Sequence, residues 1–482
     1  MEGWQNAVAG AARAWLARVD SVPIGRRFDA HGAQLGWLQR WYLAQPVQRV
    51  VVCVLELATD LSPGALEAAL RELCARHAGA LGVCEERSPT RLRLRPLTAA
   101  DPVPWYGGRA DVELWQLAAE LTQLRFDVGA PLFRVALHGA RRVLCAFEHS
   151  IADGVSVALL AGELARLLQA EPLQPLAAGY ALPLDARLDL RPSLGDVVRA
   201  LRPAAEAVTL APPLAGPSAR DRSWLSCARC QCGPSSRKPG GRRAEQCSVR
   251  ALDRARIASS RSTQILPFEL PRAQVESLLS RARSHAVTLH AVLSAAGLRA
   301  ALDALEQREA RLRLCTPISL RERCQPRPDG AGVYIASLDS DFVVAQHSEL
   351  WSLAAAYMRE LRAQRPAAQR KVGLLAFAGD LHKLALERER RHSGRTATLE
   401  VSNVGVVREL PAGAKLWLTQ GAHYHAALFV LTVATSDDGG LRACLSYPAP
   451  LCDARRAERF FGAFSQHLAA MQQERAPDPF LG

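Results

Sequence analysis

Residues 212–262 interrupt an otherwise regular chain. They are rich in Pro, Gly, Ser, Arg and Cys and lack sustained apolar periodicity, which reads as a linker or an irregular insertion. On both sides, strand-length apolar runs alternate with helical patterns. Two flanks of similar length, each mixing helices with strands, point to two layered α/β domains joined by the polar segment. The expected division is a first half at 1–210, the segment at 211–262 and a second half at 263–482. Length alone, 482 residues, would allow roughly three domains.

In the first half, residues 4–19 read as an amphipathic helix and 48–57 as a buried strand. Ser62 is placed to cap a helix with Pro63 in its first turn, and Leu66, Leu70, Leu73 and His77 then share a face. Residues 91–96 alternate as a strand does, and 112–123 read as a helix with Asp111 as its cap. Strands follow at 133–138 and 142–148, then a helix at 156–169; residues 188–204 close this half. The second half reads as a strand at 265–270, helices at 271–286 and 288–305, and strands at 312–318 and 333–344. Helices at 349–365 and around 374–388 precede strands at 397–407, 415–419, 427–434 and 441–447, with a closing helix at 454–475.

Composition narrows the class. With 49% hydrophobic and 22% charged residues the chain is globular, and no apolar run approaches membrane-spanning length. The N-terminus has neither a basic stretch nor a continuous apolar one, so no secretory signal is expected and the cytoplasm is the expected compartment. The net charge is +13, but residues 212–262 hold 11 Arg and Lys against 3 Asp and Glu, leaving only +5 for the rest. A chain-wide nucleic-acid surface is therefore not expected, while a mild basic bias suits anionic partners such as coenzyme A or an acidic carrier protein. Of the 12 cysteines, Cys53, Cys74 and Cys145 fall on apolar faces and read as buried thiols. Cys227, Cys230, Cys232 and Cys247 have the donor type for zinc but not two well-spaced CxxC knuckles. A solvated loop is the simpler reading, and a stretch read out of frame in a GC-rich gene is a third. No metal ligand is assigned.

The string VLCAFEHSIADGVSVALLAGEL concentrates chemistry. It places His149 at the end of an apolar strand, Asp153 four residues on in a tight loop, and Gly154 just before a helix. Strand ends present side chains to clefts, and a neutral imidazole there can accept a proton from an alcohol, amine or thiol. Asp153 is placed to orient the loop through an Arg, and Gly154 lets the backbone approach a neighbour closely. A lone His at a strand end also reads as a structural residue, so the assignment rests on companion motifs.

Those motifs exist. EHSIADG resembles the HHxxxDG signature of the chloramphenicol acetyltransferase-like superfamily, which includes condensation domains, alcohol acetyltransferases and polyketide-associated acyltransferases. ALRELCARHAGALGV resembles that group's first helix, and RFDVGAPLFRVALH the FDxxxPLxR stretch before the signature. CTPISLRER, VSNVGVV and LSYPAPLC resemble, in the same order, three strands of its second half. One departure is plain: Glu148 stands where the signature has its first His. Neighbouring strand residues face opposite ways, so Glu148 is not expected to share a site with His149.

The resemblance implies two αβ sandwich domains arranged as a V-shaped pseudo-dimer around a central tunnel, with His149 at its centre. It implies an acyltransferase that moves an acyl group from a coenzyme A or carrier-protein pantetheine thioester to a hydroxyl or amine, in secondary metabolite or lipid biosynthesis. His149 would be the general base, and Asp153 and Gly154 structural. Arg321 would partner Asp153 across the domain junction, and Ser402 and Asn403 would donate to the developing oxyanion. No metal or redox cofactor is expected, because the thioester is already activated. The expected partners are the thioester and a small-molecule acceptor, with an acyl carrier protein as a further candidate and a monomer as the working state. The rival expectation is a non-catalytic condensation-like module that binds a carrier protein or acyl chain.

Overall fold

The computed structural model describes residues 28–190, 261–377 and 395–473, apart from 30–31, 46, 89–90, 99, 110, 128, 177–183, 189, 409 and 424–426. The expected helix at 4–19, most of 188–204, nearly all of 211–262 with Cys227, Cys230, Cys232 and Cys247, and residues 378–388 lie outside the described residues.

The first half runs β1 (Phe28–Asp29), β2 (Gly32–Gln34), α1 (Trp37–Leu43), β3 (Val50–Glu56), α2 (Pro63–Arg76), β4 (Val83–Ser88), β5 (Arg91–Arg95), β6 (Trp105–Gly108), α3 (Leu114–Leu121), β7 (Phe133–His138), β8 (Arg142–Glu148), α4 (Gly154–Leu168) and a short α5 (Leu184–Arg187). The second runs β9 (Ser262–Leu270), α6 (Arg272–Ser284), α7 (Leu289–Ala304), β10 (Glu309–Ser319), β11 (Ile335–Ala345), α8 (Leu350–Gln364), α9 (Ala368–Gly373), β12 (Ala397–Val407), β13 (Lys415–Gln420), β14 (Ala427–Ser436), β15 (Leu441–Ala449) and α10 (Ala454–Gln473). The α/β class read from the sequence is what the chain adopts. Helix α1 and strands β1, β2, β4 and β6 lie where no element was expected.

Local chemistry explains the boundaries. Ser62 Oγ accepts from Ala65 N at 3.1 Å with Pro63 in the first turn, so α2 starts where expected. Helix α3 corrects its expected cap. Glu113, not Asp111, accepts from Trp115 N and Gln116 N at 2.8 and 2.9 Å, because the helix begins two residues later than its apolar pattern. Strand β3, VVVCVLE, is buried at six of seven positions and sits between two other strands, which is why it reads as a continuous apolar run.

Two main sheets form, in the orders β13-β3-β8-β7-β6 and β11-β10-β12-β14-β15-β9. A smaller sheet, β1-β2-β5-β4, lies beside the first. The division at 211–262 therefore does not separate two complete sheets. Strand β13, from the second half, pairs antiparallel with β3 of the first, Lys415 opposite Glu56 through Gln420 opposite Val51. Helix α7 is buried along most of its length against the second sheet, α8 and α10, as its nearly all-round apolar sequence requires. Helix α4 packs on β3 and also on β12, so it belongs to both halves. A third cluster, including Leu38, Tyr42, Leu320, Tyr334 and Val372, fills the junction. All eight described cysteines are buried and outside any disulfide, Cys53, Cys74 and Cys145 among them. No single described helix is long and apolar enough to cross a membrane.

Trp417 anchors the donated strand. It is buried in the first half's core, meets Trp115 edge-on at 5.9 Å and lies under Arg442 at 5.5 Å. Trp417→Ala is expected to lower unfolding free energy by about 3–5 kcal/mol, measured by urea denaturation. A loss under about 1 kcal/mol would mean that packing does not hold β13 in place.

Candidate active site at the junction of the halves

Strand β8 delivers His149. Its ladder with β3 runs to Glu148 opposite Val50, and His149 N then donates to Arg49 O at 2.8 Å, which fixes the residue just past the strand. The imidazole is 7% exposed and lies flat against the Tyr42 ring, with centroids 4.3 Å apart and planes 4° apart. Nδ1 makes no hydrogen bond to another residue. Burial pulls the ring's pKa down to about 4; the nearby Arg49 charge acts in the same direction, while Asp153 and Glu400 oppose it. At neutral pH the ring is uncharged and its lone pair can accept a proton.

Glu148 faces elsewhere. It is fully buried, its Oε2 accepts from Ser150 N at 2.7 Å, and its Oε1 has no partner. Burial raises its pKa to about 7, so this carboxyl is only half-ionised at neutral pH.

Asp153 closes the loop and ties the halves. It is the N-cap of α4: Oδ1 accepts from Ser156 N at 2.7 Å and lies 2.7 Å from Ser156 Oγ. Its Oδ2 accepts from Tyr334 N at 2.9 Å, and its own N–H donates to Gly332 O at 3.0 Å. Arg321 Nη2 stands 3.6 Å from Oδ1 and donates to Ser156 Oγ at 2.6 Å. The guanidinium lies 4.7 Å over the Tyr334 ring, and its Nη1 donates to Gly330 O at 3.0 Å. The structure thus brings Asp153 and Arg321 together, with Ser156 as their bridge.

Gly154 has a steric reason. A Cβ there would stand 2.9 Å from Val404 Cγ1, so any larger residue would force the valine to shift where α4 meets β12. Ser402 and Asn403 lie on β12 just before a bulge against β14, opposite Thr432 and Val433. Asn403 Oδ1 accepts from Gly405 N at 2.9 Å, and Gly405 has φ +83°. The amide oxygen therefore holds the bulge, which leaves the amide nitrogen as the donor end. No hydrogen bond joins Ser402 or Asn403 to His149 among the described residues.

A cavity of about 380 Å³ opens at the junction. Leu38, Trp41, Tyr42 and Arg49 line it from the first half, Cys315 and Glu400 from the second. His149 is not part of its wall. Tyr42 and Arg49, which are, both touch His149. The expected placing of the imidazole in the open centre of a passage is corrected to one behind a tyrosine. Sequence reasoning missed Tyr42, Arg49, Glu400 and Ser156. Ser156 had a signal, lying three residues after Asp153, where a cap's backbone partner sits. Tyr42 and Arg49 had none, because both fall outside the recognised motifs.

The comparisons with known proteins agree with this fold. Residues 260–439 match the family described as phthiocerol/phthiodiolone dimycocerosyl transferase C-terminus. Polyketide synthase associated protein 5 from Mycobacterium tuberculosis is similar in structure, with TM-score 0.55, 16% identity, and 91% of this chain and 98% of that chain covered. The condensation domain of the Monacolin K polyketide synthase MokA gives 0.60 and 13%, covering 92% and 98%. Trichothecene 15-O-acetyltransferase from Fusarium sporotrichioides gives 0.57 and 10%, covering 92% and 96%. No curated protein matches the chain by sequence. These solved structures share the chain's fold across nearly its whole length.

Two outcomes follow from the geometry. Asp153→Ala removes a buried acceptor from two N–H groups and leaves Arg321 without its carboxylate, at an expected cost of about 3–5 kcal/mol; a urea midpoint equal to wild type would contradict the staple. Glu148 has a folded pKa raised to about 7 from an ordinary 4.5. Its contribution is therefore fully present below pH 4.5 and lost as pH rises through 7, by roughly 3 kcal/mol at pH 8. Glu148→Gln cannot ionise, so unfolding measured at pH 4.5 and 8 should show that part of the pH dependence gone.

Proposed function

We propose that the chain is an acyltransferase that moves an acyl group from a coenzyme A or carrier-protein pantetheine thioester to a hydroxyl or amine. The observation that carries the reading is His149: a neutral imidazole, held by backbone at a strand end, beside a cavity built from both halves. The fold match supports the same class.

In this reading His149 takes the acceptor's proton as the acceptor's oxygen or nitrogen attacks the thioester carbonyl. The tetrahedral intermediate carries the charge on the former carbonyl oxygen. Donors from the bulged stretch at Ser402 and Asn403 stabilise it. The C–S bond then breaks, and the imidazolium returns its proton to the leaving thiolate. Positioning and proton transfer suffice because the thioester is already activated. A base with a pKa near 4 is weak, however, and general bases work best nearer the operating pH. Displacing Tyr42 to admit the acceptor would hydrate the ring and move it back towards its ordinary 6.5. Tyr42 is thus the feature that also favours the second reading, a non-catalytic module that keeps the scaffold and binds a carrier protein or acyl chain.

The test is His149→Ala, assayed with acyl-coenzyme A and a panel of alcohols and amines by release of free thiol. Turnover should fall about 10²–10⁴-fold while circular dichroism stays native. In wild type, kcat/KM should hold from neutral pH down to about 5 and decline only near pH 4, because the free enzyme's base is depressed rather than at 6.5. Turnover that survives in the variant removes His149 from the mechanism. A wild type silent with every donor favours the binding module.

A further inference from the structure

Strand β12 carries a carboxyl for which the acyl-transfer steps have no role. Leu399 and Val401 pack in the second half's core, in line with Leu314, Phe429 and Leu431 on the neighbouring strands. Side chains alternate along a strand, so Glu400 and Ser402 lie on the opposite face. Glu400 stands in a row with Cys315 and Val430, is 5% exposed, and forms the cavity wall together with Cys315. Its Oε1 accepts from Gln420 Nε2 at 2.8 Å. Gln420 lies opposite Val51 in the ladder that joins the halves, and the next residue, Gly421, donates from its N to Val50 O at 3.0 Å. The carboxyl is thus held from the start of β3, beside the Arg49 carbonyl that anchors His149 N.

Charged and titratable groups reach the His149 ring from several elements. Burial disfavours its cation, and Arg49, before β3, acts in the same direction; Asp153 in the loop and Glu400 on β12 act against both. Tyr42 of α1, stacked on the ring, also feels Arg49 and Glu400 with opposite signs. Glu148 is turned to Ser150 N. Asp153 is committed elsewhere, since its oxygens hold Ser156 N and Tyr334 N with Arg321 3.6 Å away. Glu400 is then the carboxyl that faces Arg49 across the cavity wall. A base becomes a cation when it takes its proton, and a buried cation beside an arginine is costly unless a carboxylate offsets it. We propose that Glu400 is a positioning residue for the candidate base: its carboxyl offsets Arg49 and stabilises the imidazolium that forms on His149 when the acceptor gives up its proton. The inference rests on the acyl-transfer reading only for the source of that proton; the balance of Glu400 against Arg49 stands on the cavity itself. A merely structural role, holding Gln420 and the Cys315 thiol, would leave the ring's titration unmoved.

The ring is therefore the readout. In the full chain with isotope-labelled histidine, the His149 signal is identified by its loss in His149→Ala and titrated by nuclear magnetic resonance. Arg49→Gln should raise the pKa of the ring, and adding Glu400→Gln should lower it again by roughly half a pH unit or more. Glutamine matches glutamate in shape and keeps an oxygen for Gln420. If that variant does not fold, Glu400→Asp, which withdraws the charge, should give a smaller shift of the same sign. In the thiol-release assay, Glu400→Gln should lower kcat about threefold or more with KM little changed, and Arg49→Gln in the same chain should restore most of the loss. A ring that titrates unchanged, or higher, when Glu400 is replaced overturns the proposal. A loss of kcat that Arg49→Gln does not relieve overturns it too. If the ring shifts as expected but no thioester is turned over by wild type, the acyl-transfer reading fails and the charge balance at His149 remains.

Discussion

The buried carboxylate of Asp153 organises the junction. One oxygen satisfies one of the first free N–H groups of α4, that of Ser156, where a helix start is left with unpaired donors and positive partial charge. The other oxygen takes the Tyr334 N–H from the second half. A single side chain therefore sets where α4 begins and where residues 332–334 must lie. Arg321 and Ser156 fill the remaining directions, so the charge is buried with its partners rather than alone. Nearby, His77 and Arg76 at the end of α2 hold Glu163 of α4 at 2.6 and 2.9 Å, and Ala331 N donates to His77 Nδ1 at 3.3 Å. The same segment of the second half is thus held at two points along α4.

With the loop fixed, His149 has little choice of position. Its backbone is bonded to Arg49, its ring is flanked by Tyr42, and α4 leaves four residues later. The price of that fixity is a lowered basicity, since the stacked ring is kept from water. Glu148 meets the same burial with the opposite outcome, because desolvation disfavours the anion of a carboxyl and the cation of an imidazole. Two adjacent residues are thereby both kept towards their uncharged forms.

What was legible in the sequence were features with local cause. The alternating pattern of β5, the Ser62 cap and the Asp153-Gly154 loop each follow from residues close together in the chain. The class and the second-half motifs were legible for the same reason. The exchange of β13 was not, because strand 415–419 reads as a strand wherever it pairs, and only the twin burial of Leu416 and Leu418 with Trp417 in the first half's core decides it. Tyr42 was illegible for a different reason. Helix α1 is only seven residues long, too short for a periodic signal, and its effect on His149 is a contact across 107 positions.

The shared strand and the shared helix change what the two halves can do. Hinged domains need an interface with few cross-connections, as separate bodies have. Here β13 completes the first sheet, α4 packs on β12, and Gly154 lies close against Val404. Opening the junction as a whole would break a ladder from Lys415 to Gln420 and strip Trp417 of its core. Access to the imidazole is therefore cheaper through a small element than through rigid-body motion. Helix α1 fits that description: it spans Trp37–Leu43, lacks a side-chain cap at its N-terminus beyond the Gln39–Gly36 bond, and carries the one ring that covers His149 among the described residues. Any chemistry at this imidazole must then be coupled to the position of seven residues that no recognised motif contains.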